Sequence, residues 1–351
     1  MEKLVENALA VGSPFVIYCK PNEVIRYGWF QKGNHLNKTE VLNDSCFVFA
    51  PFSGSDKIVF YPKECELVQD SEPLYVDFTE DNVPNDVQKI DGQFHKQLVS
   101  KGIDAIVNGS IKKVVLSRKE QVTVDPFNYQ LYFKRFLKKY PNAFVYWFNH
   151  PEVGMWMGAT PEQLVRFQDN KIQTVALAGT MVDKGFAELD VQWGLKEIDE
   201  QQIVTAFIVD ALAPYVENTV VSKPYTFKAG TLLHIKTDVE AEINRLEDYA
   251  AIVDALHPTP ALCGYPKAQA KEFILANEGY DREYYGGYLG EWKFNNLDYS
   301  NNSDLFVNLR CMKIQDDNGY LYLGGGINKN SDPESEFYET VNKSKTVKSI
   351  L

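Results

Sequence analysis

The sequence predicts an α+β protein: one domain of largely antiparallel β-sheets with a strand-rich N-terminal portion. Three observations lead there. Aromatic residues are abundant, 21 Phe and 20 Tyr in 351 residues, which favours half-buried strands over a helical bundle. Strand and helix patterns do not alternate as a parallel doubly wound protein requires. No internal repeat, low-complexity tract or Pro/Gly-rich linker divides the chain, and sheet-rich domains often exceed about 200 residues.

Taken in order, residues 1–90 read as short strands between turn signals, at Pro14–Cys19, Val24–Phe30, Cys46–Pro51 and Lys57–Tyr61. They form part of the same domain as residues 91–351. The spacing turns helical over Asp91–Asn108, where Phe94, Leu98, Ile103, Ile106 and Val107 make the apolar set. A strand at Lys112–Ser117 precedes an amphipathic helix over Asn128–Lys139. Strands follow at Ala143–Asn149, Gly154–Gly158, Gln163–Gln168 and Ile172–Ala178, the last entering a loop at Gly179–Asp190. A long helix spans Val191–Val216. Beyond it, strands alternate with helices near Leu246–Leu256 and Ala268–Ala276. A closing helix begins at Pro333, with Ser331 or Asp332 as its N-cap.

Charge and cysteine usage exclude several classes. A net charge of -12 without a long basic block argues against nucleic acid or an anionic membrane as partner. No stretch approaches about 18 apolar residues, so no membrane span is expected. The first residues, Met1 to Asn7, carry acids where a signal peptide would be basic. Cys19, Cys46, Cys65, Cys263 and Cys311 form no Cys-x-x-Cys pair, which suits free thiols in a cytoplasmic protein. Walker, Rossmann, Gly-x-Ser-x-Gly and His-x-x-x-His patterns are missing. An anionic ligand would need local cations or a metal to overcome the general field.

Several constellations carry possible chemistry. Glu197 and Glu200 share a face of the long helix; Glu336, Glu339 and Lys343 share a stripe of the closing one. These are either solvated faces with ordinary ion pairs or two acidic pairs presented to a shared hard cation. Gly324, Gly325 and Gly326 make either a turn or a backbone nest for an anion. Arg310 lies in a strand that would pair with Tyr320–Leu323, either exposed or gripping a carboxylate near the glycines. Lys113 opens an apolar strand; it sits at a strand end or is a partly buried base. Glu162 follows a Pro turn as an edge acid by default. His257, between prolines, is a structural or a proton-handling histidine.

Together these segments resemble the chorismate-binding enzymes, the family of isochorismate, salicylate, anthranilate and aminodeoxychorismate synthases. The motifs appear in the family's order from about Gly92 onward. They are Lys-Val-Val-Leu-Ser-Arg at 113–118, Gly-Ala-Thr-Pro-Glu at 158–162 and Leu-Ala-Gly-Thr at 177–180. Leu-His-Pro-Thr-Pro-Ala-Leu-Cys-Gly at 256–264 and Tyr-Asp-Arg-Glu-Tyr-Tyr-Gly-Gly at 280–287 come next. Leu-Arg-Cys at 309–311, Gly-Gly-Gly-Ile at 324–327 and Glu-x-x-Glu-Thr at 336–340 complete the set.

The resemblance implies a single domain of two stacked, largely antiparallel sheets with helices outside. It implies that Glu200 and Glu339 ligate Mg²⁺, with Glu197 and Glu336 in support. Arg310, Tyr322, Lys343 and the Gly324–Gly326 amides would bind the carboxylates of chorismate, a dianion. Ala178, Gly179, Thr180 and His257 would line the ring pocket. Members that add water at C2 of chorismate carry a lysine at the place of Lys113. That lysine would deprotonate the water while Glu162 protonates the departing C4 hydroxyl, giving isochorismate for menaquinone or siderophore synthesis. Aminodeoxychorismate synthases place a nucleophilic lysine where this chain has Ala178. Salicylate synthesis and a non-catalytic anion-binding member stand as alternatives, and a monomer is expected.

Overall fold

The structure, a computed structural model, describes residues 1–71, 92–183, 185, 190–229, 232–294 and 302–351. Helix α1 (Glu2–Val11) leads into β1 (Phe15–Cys19), β2 (Arg26–Gln31), β3 (Lys38–Thr39), β4 (Cys46–Ala50), β5 (Lys57–Phe60) and β6 (Cys65–Asp70). Helix α2 (Gln93–Val107), β7 (Lys113–Thr123) and α3 (Tyr129–Lys139) follow. Next come β8 (Phe144–His150), β9 (Gly154–Thr160), β10 (Gln163–Gln168), β11 (Lys171–Val182) and helix α4 (Leu195–Leu212). Strands β12 (Val216–Val221), β13 (Tyr225–Ala229) and β14 (Leu232–Ile243) precede α5 (Tyr249–Leu256), β15 (Gly264–Tyr265) and α6 (Lys267–Asn277). The chain closes with β16 (Tyr288–Trp292), β17 (Ser303–Val307), β18 (Cys311–Gln315), β19 (Asn318–Ile327) and α7 (Pro333–Lys348).

Two sheets result, and among the described residues every pairing is antiparallel. The first has nine strands in the order β15-β7-β19-β18-β9-β8-β1-β2-β6. The second has ten, β12-β14-β11-β10-β17-β16-β4-β5-β3, with β13 also on β14. Strands from residues 1–71 enter both sheets, so this portion is woven into the sandwich.

The core explains why the strands read as near-continuous apolar runs. In β8, Phe144, Tyr146 and Phe148 face the opposing sheet, while Val145 and Trp147 face α1 and α3. Phe148 packs tilted against Phe49 at 4.5 Å, and Phe144 stacks on Phe306 at 4.4 Å, centroid to centroid, locking sheet to sheet. Truncating such a ring to Ala costs about 3–5 kcal/mol. A third cluster joins Leu98 and Val99 of α2, Val114 and Leu116 of β7, and Ala270 and Ile274 of α6. With both faces covered, the period-two signal of a half-exposed strand disappears.

The α+β sandwich anticipated from the sequence is found, with local differences. Helix α1 occupies a region read as strands only; it buries Val5 and Ala8 and ends at Gly12 in the left-handed region, φ 70°. Strand β7 runs on to Thr123, its second half alternating exposed and half-buried. The long helix is shorter at both ends than Val191–Val216: it begins at Leu195, and Val216 already starts β12. Asp332 caps α7, its carboxylate accepting from the Ser335 N–H at 2.9 Å. Asp91, residues 72–90 of the N-terminal portion, and parts of the Gly179–Asp190 loop lie outside the described residues. All five cysteines are buried and unpaired. Among the described residues no helix is long and apolar enough to cross a membrane.

Candidate active site

One cavity collects groups from distant parts of the chain. It has about 780 Å³ of atom-free space, part of it continuous with solvent. Lys113, Glu162, Ala178, Gly179, Thr180, Glu200, Arg310, Tyr322, Gly324, Gly326, Glu339 and Lys343 line it. The geometry follows from the sheet. Lys113 opens β7, and antiparallel register sets Ser117 opposite Gly324 and Val115 opposite Gly326 on β19. A Cβ on Gly326 would stand 2.5 Å from Glu200 Oε2 and 3.2 Å from Lys113 Cε, so only glycine leaves room for both side chains. Strand β11 bulges between Ala178 and Thr180, where Gly179 takes φ 72° and lies against the backbone of Glu197.

Arg310 departs from the sequence reading. It precedes β18 rather than lying in a strand, with φ 51°, a conformation that costs a non-glycine residue about 1–3 kcal/mol. Buried contacts hold it there. Its Nη1 donates to Thr346 Oγ1 at 3.2 Å and its Nη2 to His234 Nε2 at 2.8 Å. Burial and the neighbouring Arg310 push the His234 imidazole well below its ordinary pKa, so the ring is neutral. The partners assign its tautomer: Nε2 accepts from Arg310, and Nδ1–H donates to Gly179 O at 3.0 Å.

Charges are pushed away from their ordinary states. Lys113 is fully buried, and desolvation lowers its amine despite Glu200 Oε2 at 3.8 Å. Burial raises the Glu162 carboxyl to about 8, against the opposing pull of Lys113. The pair thus tends toward neutral amine and protonated acid in one cavity. Burial also raises Glu336, to about 7. For Glu339, Lys343 and Lys196 outweigh burial and hold the carboxyl low. The Lys343 ammonium donates to Glu339 Oε1 at 2.7 Å and to Gly324 O at 2.8 Å.

The acidic residues of α4 and α7 converge behind the glycines. A Cβ on Gly325 would lie 3.3 Å from Glu336 Oε2 and 3.5 Å from Glu339 Oε1. Among the described residues, Glu200 Oε1 and Glu336 Oε2 are buried without a hydrogen bond. Buried, under-satisfied carboxylate oxygens are the donor set that a hard divalent cation takes, so the residues fit a metal ion. They do not already form a coordination shell among the described residues. The Lys196 ammonium stands between them instead.

Two expected residues lie elsewhere. Glu197 turns back on its own helix start, its Oε2 2.5 Å from where a Gly194 Cβ would be. His257 is not among the lining residues. Its Nε2 lies 3.1 Å from Pro51 O, its ring packs edge-on to Tyr288, and burial lowers its pKa to about 3. In its stead the cavity has His234 and Tyr285, which the sequence reading missed. His234 is the lone polar residue in Leu-Leu-His-Ile, and that interruption of an apolar strand was the available signal.

Comparison with known proteins identifies the family. A family model described as chorismate binding enzyme matches residues 61–351. A salicylate biosynthesis isochorismate synthase of Pseudomonas aeruginosa is 34% identical over 203 residues, 56% of this chain and 42% of that protein. The isochorismate synthase EntC of Escherichia coli is 29% identical over 264 residues, 73% of this chain and 66% of that protein. The chain therefore spans less than two thirds of the length of either relative. A crystal structure of the protein DhbC from Bacillus anthracis superposes with a TM-score of 0.78 at 25% identity, covering 99% of this chain and 98% of that one. The two antiparallel sheets, the motif-bearing cavity and the match over residues 61–351 make this chain a member of the chorismate-binding enzyme family.

Proposed function

We propose that the protein is an isochorismate synthase, converting chorismate to isochorismate by adding water at C2 and expelling the C4 hydroxyl. One observation carries this reading: Lys113 and Glu162 line the same cavity, with burial shifting one toward the free amine and the other toward the neutral acid. A general base and a general acid need those protonation states near neutral pH. The Lys113 amine takes a proton from water, which attacks C2. The Glu162 carboxyl gives its proton to the C4 oxygen, which leaves as water. Solvent exchange returns the proton from Lys113 to Glu162, so the reaction is a net isomerisation.

Arg310 and Lys343 supply fixed positive charge for a dianion inside an acidic protein. His234 holds the Arg310 fork in place. Tyr322 and Tyr285 wall the cavity beside Gly324. Glu200, Glu336 and Glu339 would hold Mg²⁺, whose positive charge would anchor a substrate carboxylate. Ala178 leaves no lysine at the position from which an amine-forming relative would attack. Unpaired thiols suit a reducing, cytoplasmic setting, and a monomer completes the reading. Product identification by NMR after mixing protein, chorismate and Mg²⁺ tests it. Isochorismate is expected; salicylate plus pyruvate would make it a salicylate synthase, and unchanged chorismate would leave an anion-binding member.

A further inference from the structure

We propose that Lys196 is a resident counter-cation: its ammonium holds the three carboxylates together in the metal-free protein and withdraws when a divalent ion binds. This rests on the reading of Glu200, Glu336 and Glu339 as a cation site. The Lys196 Nζ lies 3.2 Å from Glu200 Oε1, 2.9 Å from Glu336 Oε1 and 3.7 Å from Glu339 Oε2. Three acids on two helices thus share one ammonium.

Each feature needed for such a role is present. The position is built in: Lys196 sits in the first turn of α4, one turn before Glu200, and its carbonyl accepts from Asn328 Nδ2 at 3.4 Å. The charge is needed, because three carboxylates this close repel one another unless a cation stands between them. It is also incomplete: one positive charge faces three negative ones, and Glu339 already shares its other oxygen with Lys343 at 2.7 Å. A divalent ion supplies what is missing. It would claim the same oxygens and repel the ammonium. The Lys196 side chain has a way out, being 20% exposed while Glu336 is 2% exposed. A flexible four-carbon stem lets that exchange happen without moving either helix.

Occupancy of the site by Lys196 therefore lowers the apparent affinity for a metal by the fraction of time the ammonium is in place. The test uses Mn²⁺ alone, without substrate, on the full chain. Free Mn²⁺ is followed by electron paramagnetic resonance, and melting is recorded in chelator and in excess Mn²⁺. K196M and K196Q are expected to bind Mn²⁺ more tightly, on the order of tenfold. They should melt below wild type in chelator and recover that loss in Mn²⁺, whereas K196R should track wild type in both respects. Equal or weaker Mn²⁺ binding by K196M and K196Q, or unchanged melting in chelator, overturns the role of Lys196 while sparing the metal site. Failure of both variants to fold even in Mn²⁺ also overturns it, since a counter-cation is dispensable once the ion is bound. Wild-type protein that binds no Mn²⁺ overturns the metal reading itself.

Discussion

Two groups of buried charges meet along β7, and they are built on opposite terms. At its edge, Arg282 and Glu278 complete the hydrogen bonds that a neighbouring strand would otherwise make. Arg282 donates from Nε to Glu278 Oε2 and from Nη1 to Leu262 O, each at 2.7 Å. Its Nη2 donates to Val115 O at 2.7 Å and to Glu278 Oε1 at 2.5 Å. Glu278 Oε1 also accepts from the Ser117 N–H at 2.7 Å and from Ser117 Oγ at 2.9 Å. On the cavity side, among the described residues, Lys113 has one acid within ion-pair distance, and Glu200 Oε1 and Glu336 Oε2 accept no hydrogen bond. Burial with complete pairing makes a clamp. Burial with incomplete pairing stores the reactivity that a substrate or cation can use.

The contrast predicts opposite phenotypes. Lys113→Met replaces a buried, poorly paired amine by an apolar chain of similar length, so stability should hold or rise. Activity should fall by about 10²–10⁴-fold with loss of the proposed general base. Steady-state kcat/KM and melting on the same preparation check both halves, and a variant that keeps its rate removes the base assignment. Arg282→Met should do the reverse. Breaking a buried, fully bonded pair costs about 3–5 kcal/mol, read from chemical denaturation. Adding Glu278→Gln should restore part of that, because the orphaned carboxylate is then gone. If Arg282→Met melts like wild type, the two groups do not differ as argued.

How far each group could be read from the sequence follows the same division. The residues proposed to act chemically stand in motifs with an odd residue type for their setting. Lys113 opens an apolar strand, the glycines follow a strand, and Glu339 and Lys343 lie one turn apart. Their supports carry weaker signals. Lys196 precedes Glu200 by the same spacing as Glu339 precedes Lys343, yet the reading stopped at the acids. The left-handed Arg310 had no signal, since such a conformation is imposed by tertiary contacts to His234 and Thr346. For His257 and His234, flanking prolines single out His257, and nothing local says that its ring packs on Pro51 and Tyr288 while His234 faces the cavity. The sandwich itself was legible in strand content and segment order, but α1 was not, its short stripe being lost among strand signals.

A smaller effect sharpens the comparison through pH. A carboxyl raised in the folded state to about 8 keeps a proton that the unfolded chain releases above about pH 4.3. Its stabilising contribution is complete below the lower value and is lost as pH rises through the higher one. Wild type should therefore lose stability relative to Glu162→Gln between about pH 5 and about pH 9, the amide having no proton to lose. The kcat/KM of wild type should decline above about pH 8 as the acid ionises. Parallel melting curves for the two proteins across that range would show that Glu162 is not held protonated.

The smallest effects separate the two histidines. His234→Ala removes the acceptor that fixes Arg310 and leaves its guanidinium buried with a lost partner, worth about 1–3 kcal/mol. If Arg310 binds a carboxylate of the substrate equally well before and at the transition state, the loss appears in KM while kcat is nearly kept. His257→Gln keeps a donor toward Pro51 O at a position that does not line the cavity, so KM should stay within about twofold and only a fraction of the roughly 1 kcal/mol of one hydrogen bond is lost. A KM change at position 257 as large as that at 234 would mean that the Pro258–Leu262 segment transmits packing at Tyr288 to Ala261 and Leu262 in the cavity wall, and that the wall is less rigid than its bonding to Arg282 implies.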